Sequence, residues 1–534
     1  MFTMKKLMIN FKLSLPIALT FALGLFSVSC DDDITDLRPF DRITEAVAFQ
    51  TPERCELSMI GTYDLAQSGF YLAGQVRGYP FGAANTQQGD NRGEDMLNVA
   101  AFFAITYQST YDPTTANNDF QFQTLYGLIN RANIVIEGMR KAAVDKVLTE
   151  AQAKAYEGEA RFLRALAHHE LLIHFARPYD HTADASHQGM PYRTTAVNSA
   201  VSLEAARALG RNSVKECYDL LLEDLNFAEQ NLPVTRPNQR KITRATAGAA
   251  IALKTRIYLH MKRWQDVINE GAKLRTAGTY SLTAQPEGVF ANNAANTESI
   301  FAIENSQADN PGVNGALPVM YAVAPGRSLV AVSPIIWNAP FWHPEDLRRT
   351  QLVKNNGRAY FSHKYRNITT QDDYNQIIRY AEVVLNMAEA NLRLATPNTA
   401  EGLALLNQVR NRAVTAEANQ YQASTFATAK DMLRAVLQER RIEFLGEGRR
   451  WADIHRLALD PDFTTGGIPA KVLYNNTTFA SWGYGVGYDS NGVYSGPTLT
   501  QPALPYENFR FVWPIPQSEL NTNPVLAAQQ NPGY

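Results

Sequence analysis

The stretch from Ala245 to Leu274, ATAGAAIALKTRIYLHMKRWQDVINEGAKL, constrains the fold more tightly than any other part of the chain. Small residues at Ala245, Gly248, Ala249 and Ala252 let a second helix approach closely, Tyr258 closes the first helix, and Trp264 opens another after a short turn. That pairing of a small-faced and a large-faced helix is tetratricopeptide-like. A single such hairpin cannot bury its own apolar face, so several must stack. RYAEVVLNMAEANLRL (Arg379 to Leu394) followed by GLALLNQVRNRA (Gly402 to Ala413) repeats the logic. Apolar residues recur at helical steps in Phe122, Leu125, Ile129 and Ala132, in Ala160, Leu163, Ala167 and Leu171, and in Val214, Cys217, Leu221 and Leu225. Helix pairs over 119–180, 213–277 and 376–446 therefore predict an all-α scaffold of about four stacked units.

Large irregular insertions interrupt that scaffold. A first helix is expected from about Glu45 or Thr51, the latter an N-cap followed by proline in the first turn, to Gln67. Residues 68–118 then lose helical periodicity and read as a long functional loop. Residues 278–375 break the pattern again, with a strand-like scrap at SIFAIEN and a turn at Asn310-Pro311-Gly312. The expected organisation is a leader over 1–29, a tether over 30–46, an N-terminal helical region over 47–277, a loop-rich insertion over 278–375, helical repeats over 376–457 and an irregular region over 458–534.

A formal net charge of −2 leaves no basic stripe for nucleic acid. Lys5, Lys6 and Lys12 precede an apolar run from Leu13 to Phe26 that falls short of the roughly 20 residues a permanent span needs. Ser27-Val28-Ser29-Cys30 follows, the layout of a lipoprotein signal peptide with Ser27 in place of the usual leucine. Cys30 is thus the expected lipidated first residue. Of the three cysteines, Cys55 and Cys217 sit in helical patterns and are expected as buried free thiols.

No motif demands chemistry. His169 and His174 are five residues apart, about 140° out of register on a helix, so they do not form a zinc pair. The loop Gly89-Asp90-Asn91-Arg92-Gly93-Glu94-Asp95 holds oxygen ligands that could take calcium, but lacks the order of an EF-hand. It reads better as a polar loop that contacts a ligand or partner. Glu439 and Glu443, with Arg440, Arg441 and Arg449, are expected to cross-brace adjacent helices through ion pairs. No catalytic residue, metal ligand or cofactor site is assigned.

ERRIEFLGEGRRWADIHR, LYGLINRANIVIEGM, GEARFLRALAHHELLIHF and the ending WPIPQSELNTNPVLAAQQNPGY resemble the SusD/RagB family, and the matches run in order along the mature chain. The acidic run Asp31-Asp32-Asp33 after Cys30 is similar to the export signal of Bacteroidetes lipoproteins facing outward from the outer membrane. The resemblance implies a non-catalytic lipoprotein that caps a SusC-like TonB-dependent transporter and passes it an oligosaccharide or, as the alternative, an oligopeptide. By place in the chain it implies ligand contacts from Tyr71, Tyr79, Phe81, Asp90, Asn91, Arg92 and Asp95 in the first loop, and from Tyr321, Trp337 and Trp342 in the insertion. Flat aromatic faces would stack on sugar C–H surfaces, with amides and carboxylates bonding the hydroxyls. The first loop has no Trp, which argues against starch.

Overall fold

The first long helix, α1 (Pro52–Ser68), begins where its cap is written: the Thr51 side chain accepts the Arg54 N–H, and proline fills the first helical position. The computed structural model describes residues 47–69, 77–293, 295–474, 482–496 and 499–534. By their internal contacts Met1–Ala48 and Phe49–Tyr534 are separate units, and every element below belongs to the second. The leader, the whole tether over 30–46 with Cys30, and Tyr71 lie outside the described residues.

After the nine-residue helix α2 (Ala83–Asn91) come the helices of the stack: α3 (Ala116–Val144), α4 (Glu150–Phe175), α5 (Val214–Asn231), α6 (Ala247–His260), α7 (Trp264–Ala277), α8 (Tyr380–Leu392), α9 (Thr399–Arg410) and α10 (Ala429–Glu443), followed by α11 (Arg450–Arg456). Each of α3 to α9 packs on the next, and α10 packs on α8 and α9. Capping boxes at Thr149, Ser213 and Thr428 start α4, α5 and α10, satisfying N–H groups a helix start leaves unpaired. Small residues set the spacing: a Cβ on Gly271 of α7 would stand 2.3 Å from the Met387 sulfur of α8. The expected repeat scaffold is present, with Cys55 and Cys217 as buried free thiols in one continuous core.

The two insertions behave differently from their reading as loops. Residues 68–118 contribute α2 and strand β1 (Met96–Asn98), while 278–375 contribute β2 (Ser299–Ile303), β3 (Val330–Val332), β4 (Val353–Asn355), β5 (Tyr360–Ser362) and part of β6 (Asn375–Arg379). They meet in one antiparallel sheet of order β1-β3-β5-β4, in which Leu97 pairs with Ala331 and Ala331 with Phe361. Side chains alternate across it. Leu97, Ala331 and Phe361 pack with Tyr107, Ile335 and Val472 on one face, and Met96, Val330 and Val332 pack with Tyr321, Trp342, Ile442 and Leu445 on the other. Strands of three residues are too short for period-2 patterning to show in the sequence.

The chain's end returns to α4. Trp513 N–H donates to His174 O at 2.8 Å, the Asn531 amide to Phe175 O at 2.8 Å, and the Trp451 indole N–H to Ile173 O at 2.8 Å. These donors take up the carbonyls that a helix C-terminus leaves without partners.

Candidate functional site

Most of the residues expected to meet a ligand are instead built into the interior. Asp90 lies in the last turn of α2, where its carboxylate accepts from the Tyr321 hydroxyl at 2.6 Å and from Gly448 N–H at 2.9 Å. Burial lifts its pKa to about 7, against the pull of those two donors. The approach is close enough that a Cβ on Gly89 would meet Gly448 O at 2.2 Å, and Gly448 itself holds a φ of +74°, open to glycine at no steric cost. The buried Arg92 guanidinium lies 3.2 Å over the Trp451 ring and donates to Phe511 O; burial lowers its pKa to about 10. Tyr79, Phe81, Asn91, Tyr321 and Trp342 are buried as well. As they stand, none of these presents a face to solvent, which corrects the expectation of a ligand platform in the first loop. The charge in GDNRGED serves to close α2 onto α10 and α11.

That closure forms one wall of a cleft of about 350 Å³. Glu94 and Asp95 reach across to α10 and α11, where Arg441 meets Asp95 at 2.5 Å and Arg450 meets Glu94 at 2.6 Å. Burial pushes the Glu94 carboxyl up, but Arg450 and Arg441 together hold it below the usual carboxylate range. Gln438, one turn before Arg441, donates its amide to Asn491 O at 2.9 Å and so ties α10 to the loop 482–496. Phe463 and Tyr494 supply aromatic surface on the lining. Tyr494 packs on Trp482, with ring centroids 4.3 Å apart.

The insertion also carries an aromatic ledge. Trp337, half-buried, stacks on Tyr360 at 3.9 Å and 21°, while Arg349 lies 4.5 Å over its ring. Exposed Tyr484 donates to Pro340 O at 2.8 Å. Trp337 is thus the one described member of the predicted set that keeps part of its ring at the surface. Gln438, Arg450, Phe463, Asn491 and Tyr494 were not singled out from the sequence. The available signal was the run SWGYGVGYDSNGVY, dense in aromatics and glycine with no helical period.

The expected cross-brace of the late helix exists, with partners from distant elements. Glu443 meets Arg348 and Arg379 at 2.9 Å and Arg412 at 2.7 Å, Glu439 meets Arg348 at 2.6 Å, and Arg440 meets Asp453 at 3.0 Å. Arg449 departs from expectation: it donates to Ile377 O instead of joining an ion pair. His169 packs edge-on against His260, and His174 stacks on Trp513, so the two rings diverge. Among the described residues no group of three or more His, Cys, Asp or Glu is placed to hold a metal ion, and no helix is long and apolar enough to cross a membrane.

A stacked-helix scaffold that carries a small sheet, an aromatic ledge and an open cleft defines a tetratricopeptide-like protein with one elaborated face. The comparisons narrow this further. Residues 350–534 match the family model described as SusD family, and residues 65–259 match one described as starch-binding associating with outer membrane. The chain belongs to the SusD/RagB family. SusD-like protein P38 of Formosa agariphila is 24% identical over 505 residues, covering 83% of this chain and 91% of the relative. A SusD superfamily protein from Bacteroides fragilis superposes with a TM-score of 0.73 at 24% identity, over 90% of this chain and 99% of that one. The surface glycan-binding protein A of Bacteroides uniformis does so with a TM-score of 0.66 at 19% identity, over 90% and 99%.

Proposed function

We propose that this protein is a cell-surface binding protein that captures an extracellular oligosaccharide and hands it, chemically unchanged, to a SusC-like TonB-dependent transporter. Lipid on Cys30 would hold it at the outer face of the outer membrane. The observation that carries this reading is the cleft itself: Phe463 and Tyr494 bring ring surface suited to sugar C–H faces to a lining that also holds the Gln438 amide and the Arg434 and Arg441 guanidinium groups, suited to hydroxyls. Membership in the SusD/RagB family supports it.

The test is calorimetric titration of the chain beginning after Cys30 with plant, microbial and host glycans and with mixed peptides. Saturable glycan binding that weakens at least about tenfold (about 1.4 kcal/mol) in Gln438→Ala or Phe463→Ala, both on the cleft lining, is the expected result. Peptide binding with glycan silence would replace the oligosaccharide by an oligopeptide.

A further inference from the structure

The wall made by Glu94, Asp95, Arg441 and Arg450 restricts the charge a ligand can carry. Arg441 is matched by Asp95 at 2.5 Å and Glu94 at 3.0 Å, and Arg450 by Glu94 at 2.6 Å and Asp95 at 3.3 Å. The other charged groups on the lining are matched too. Arg434 meets Asp431 at 2.9 Å, Asp453 meets Arg456 at 2.8 Å and Arg440 at 3.0 Å, and Asp462 meets Lys430. A carboxylate or sulfate entering the cleft would have to share a guanidinium with acids already in place. Either it sits beside the buried Glu94 and Asp95 and is repelled, or it displaces them and leaves a buried carboxylate unpaired, which is costly. An incoming ammonium meets the same conflict with the arginines.

A hydroxyl meets no conflict. The Nη1 groups of Arg441 and Arg450 make no hydrogen bond among the described residues, so they remain donors whose charge is neutralised but whose N–H bonds are available. The Gln438 amide spends its nitrogen on Asn491 O, which leaves its oxygen to accept.

We infer that this cleft selects uncharged polyhydroxyl chains over uronic-acid-bearing or sulfated glycans and over peptides with charged ends. The inference rests on the carbohydrate reading above and names the class within it. The polar character of GDNRGED, which in the sequence would suit a peptide or an acidic or polar glycan, is consumed by pairing inside the protein.

The test uses matched glycan pairs that differ only in charge: oligogalacturonides with their methyl esters, and sulfated galactan oligosaccharides with their desulfated forms, titrated alongside neutral glucans, mannans and xylans at low and high salt. The expected result is saturable binding of a neutral chain whose affinity barely responds to salt, with any acidic counterpart at least about tenfold weaker. Equal or tighter binding of an acidic member overturns the inference and leaves the carbohydrate reading intact. No saturable binding by any glycan overturns that reading, and the inference with it. Gln438 is only partly buried, so Gln438→Lys adds an unmatched cation to the wall without disturbing the core. It should narrow the discrimination between pair members, and unchanged discrimination would overturn the assignment of charge selection to this cleft.

Discussion

Between α3 and α7, neighbouring helices meet through apolar faces, with small ion-pair clusters such as Arg140–Glu157–Arg161–Asp224–Arg164 and Lys254–Glu229–Lys273–Glu270. Around α8 to α11 the buried charges join into a web. Arg379 alone faces Glu298, Glu443 and Glu447 at 2.6–2.9 Å, and Lys364 meets Glu447 at 2.5 Å. The first region can exchange one apolar side chain for another with small loss. The second ties the sheet-bearing insertions to the repeat, and each member depends on several others. Apolar packing is thus what builds the stack, while multivalent charge is what attaches the sheet-bearing insertions to it.

Volume-conserving substitutions should separate the two regions. Arg379→Met leaves three buried carboxylates without their shared cation, and a loss of about 3–5 kcal/mol in denaturant unfolding is expected. A loss under about 1 kcal/mol would mean the web contributes little.

A middle-sized effect lies at the seam. His455 of α11, buried, meets the carbonyl of Ala176, just beyond α4, at 2.9 Å, and burial lowers its pKa to about 3 against that hydrogen bond. The unfolded chain takes up the proton near pH 6.5 and the folded chain does not. Stability contributed by the neutral ring is therefore present above pH 6.5 and lost as pH falls from there toward 3. His455→Gln should flatten the pH dependence of stability between pH 6.5 and 4.5 by up to about 1.4 kcal/mol per pH unit. Parallel curves for the two proteins would exclude the histidine as a source of acid lability.

The smallest effect belongs to the apolar region: Leu253→Met in α6 should cost less than about 1.5 kcal/mol. A loss as large as that of Arg379→Met would erase the distinction between the two regions.

The same contrast explains what the sequence discloses. Helices α3 to α7 are readable because their core residues recur every three or four positions, and α4, α5 and α6 in addition start at the caps Thr149, Ser213 and Thr246. The ledge and cleft are not, because their parts come from Glu94, Trp337, Gln438 and Tyr494, joined only by the fold. Asp90, Arg92 and Asp95 misled for a physical reason: a charged residue usually seeks water, and nothing local in GDNRGED reveals that Tyr321, Trp451 and Arg441 await it. The short strands escaped notice because a three-residue strand such as β1 derives its order from the partner strand β3.

The return of the last residues to α4 bears on how the molecule can be made. Trp513 and Asn531 complete a helix end more than three hundred positions earlier in the chain, and Arg92 waits for Phe511 across a similar separation. Contacts so distant form late, since the closure of long loops precedes any gain from them. A nascent chain halted before Trp513 therefore keeps an open socket at the end of α4. Arrival of the segment from Trp513 to Asn531, and not the folding of any one hairpin, is the event that seals the end of α4.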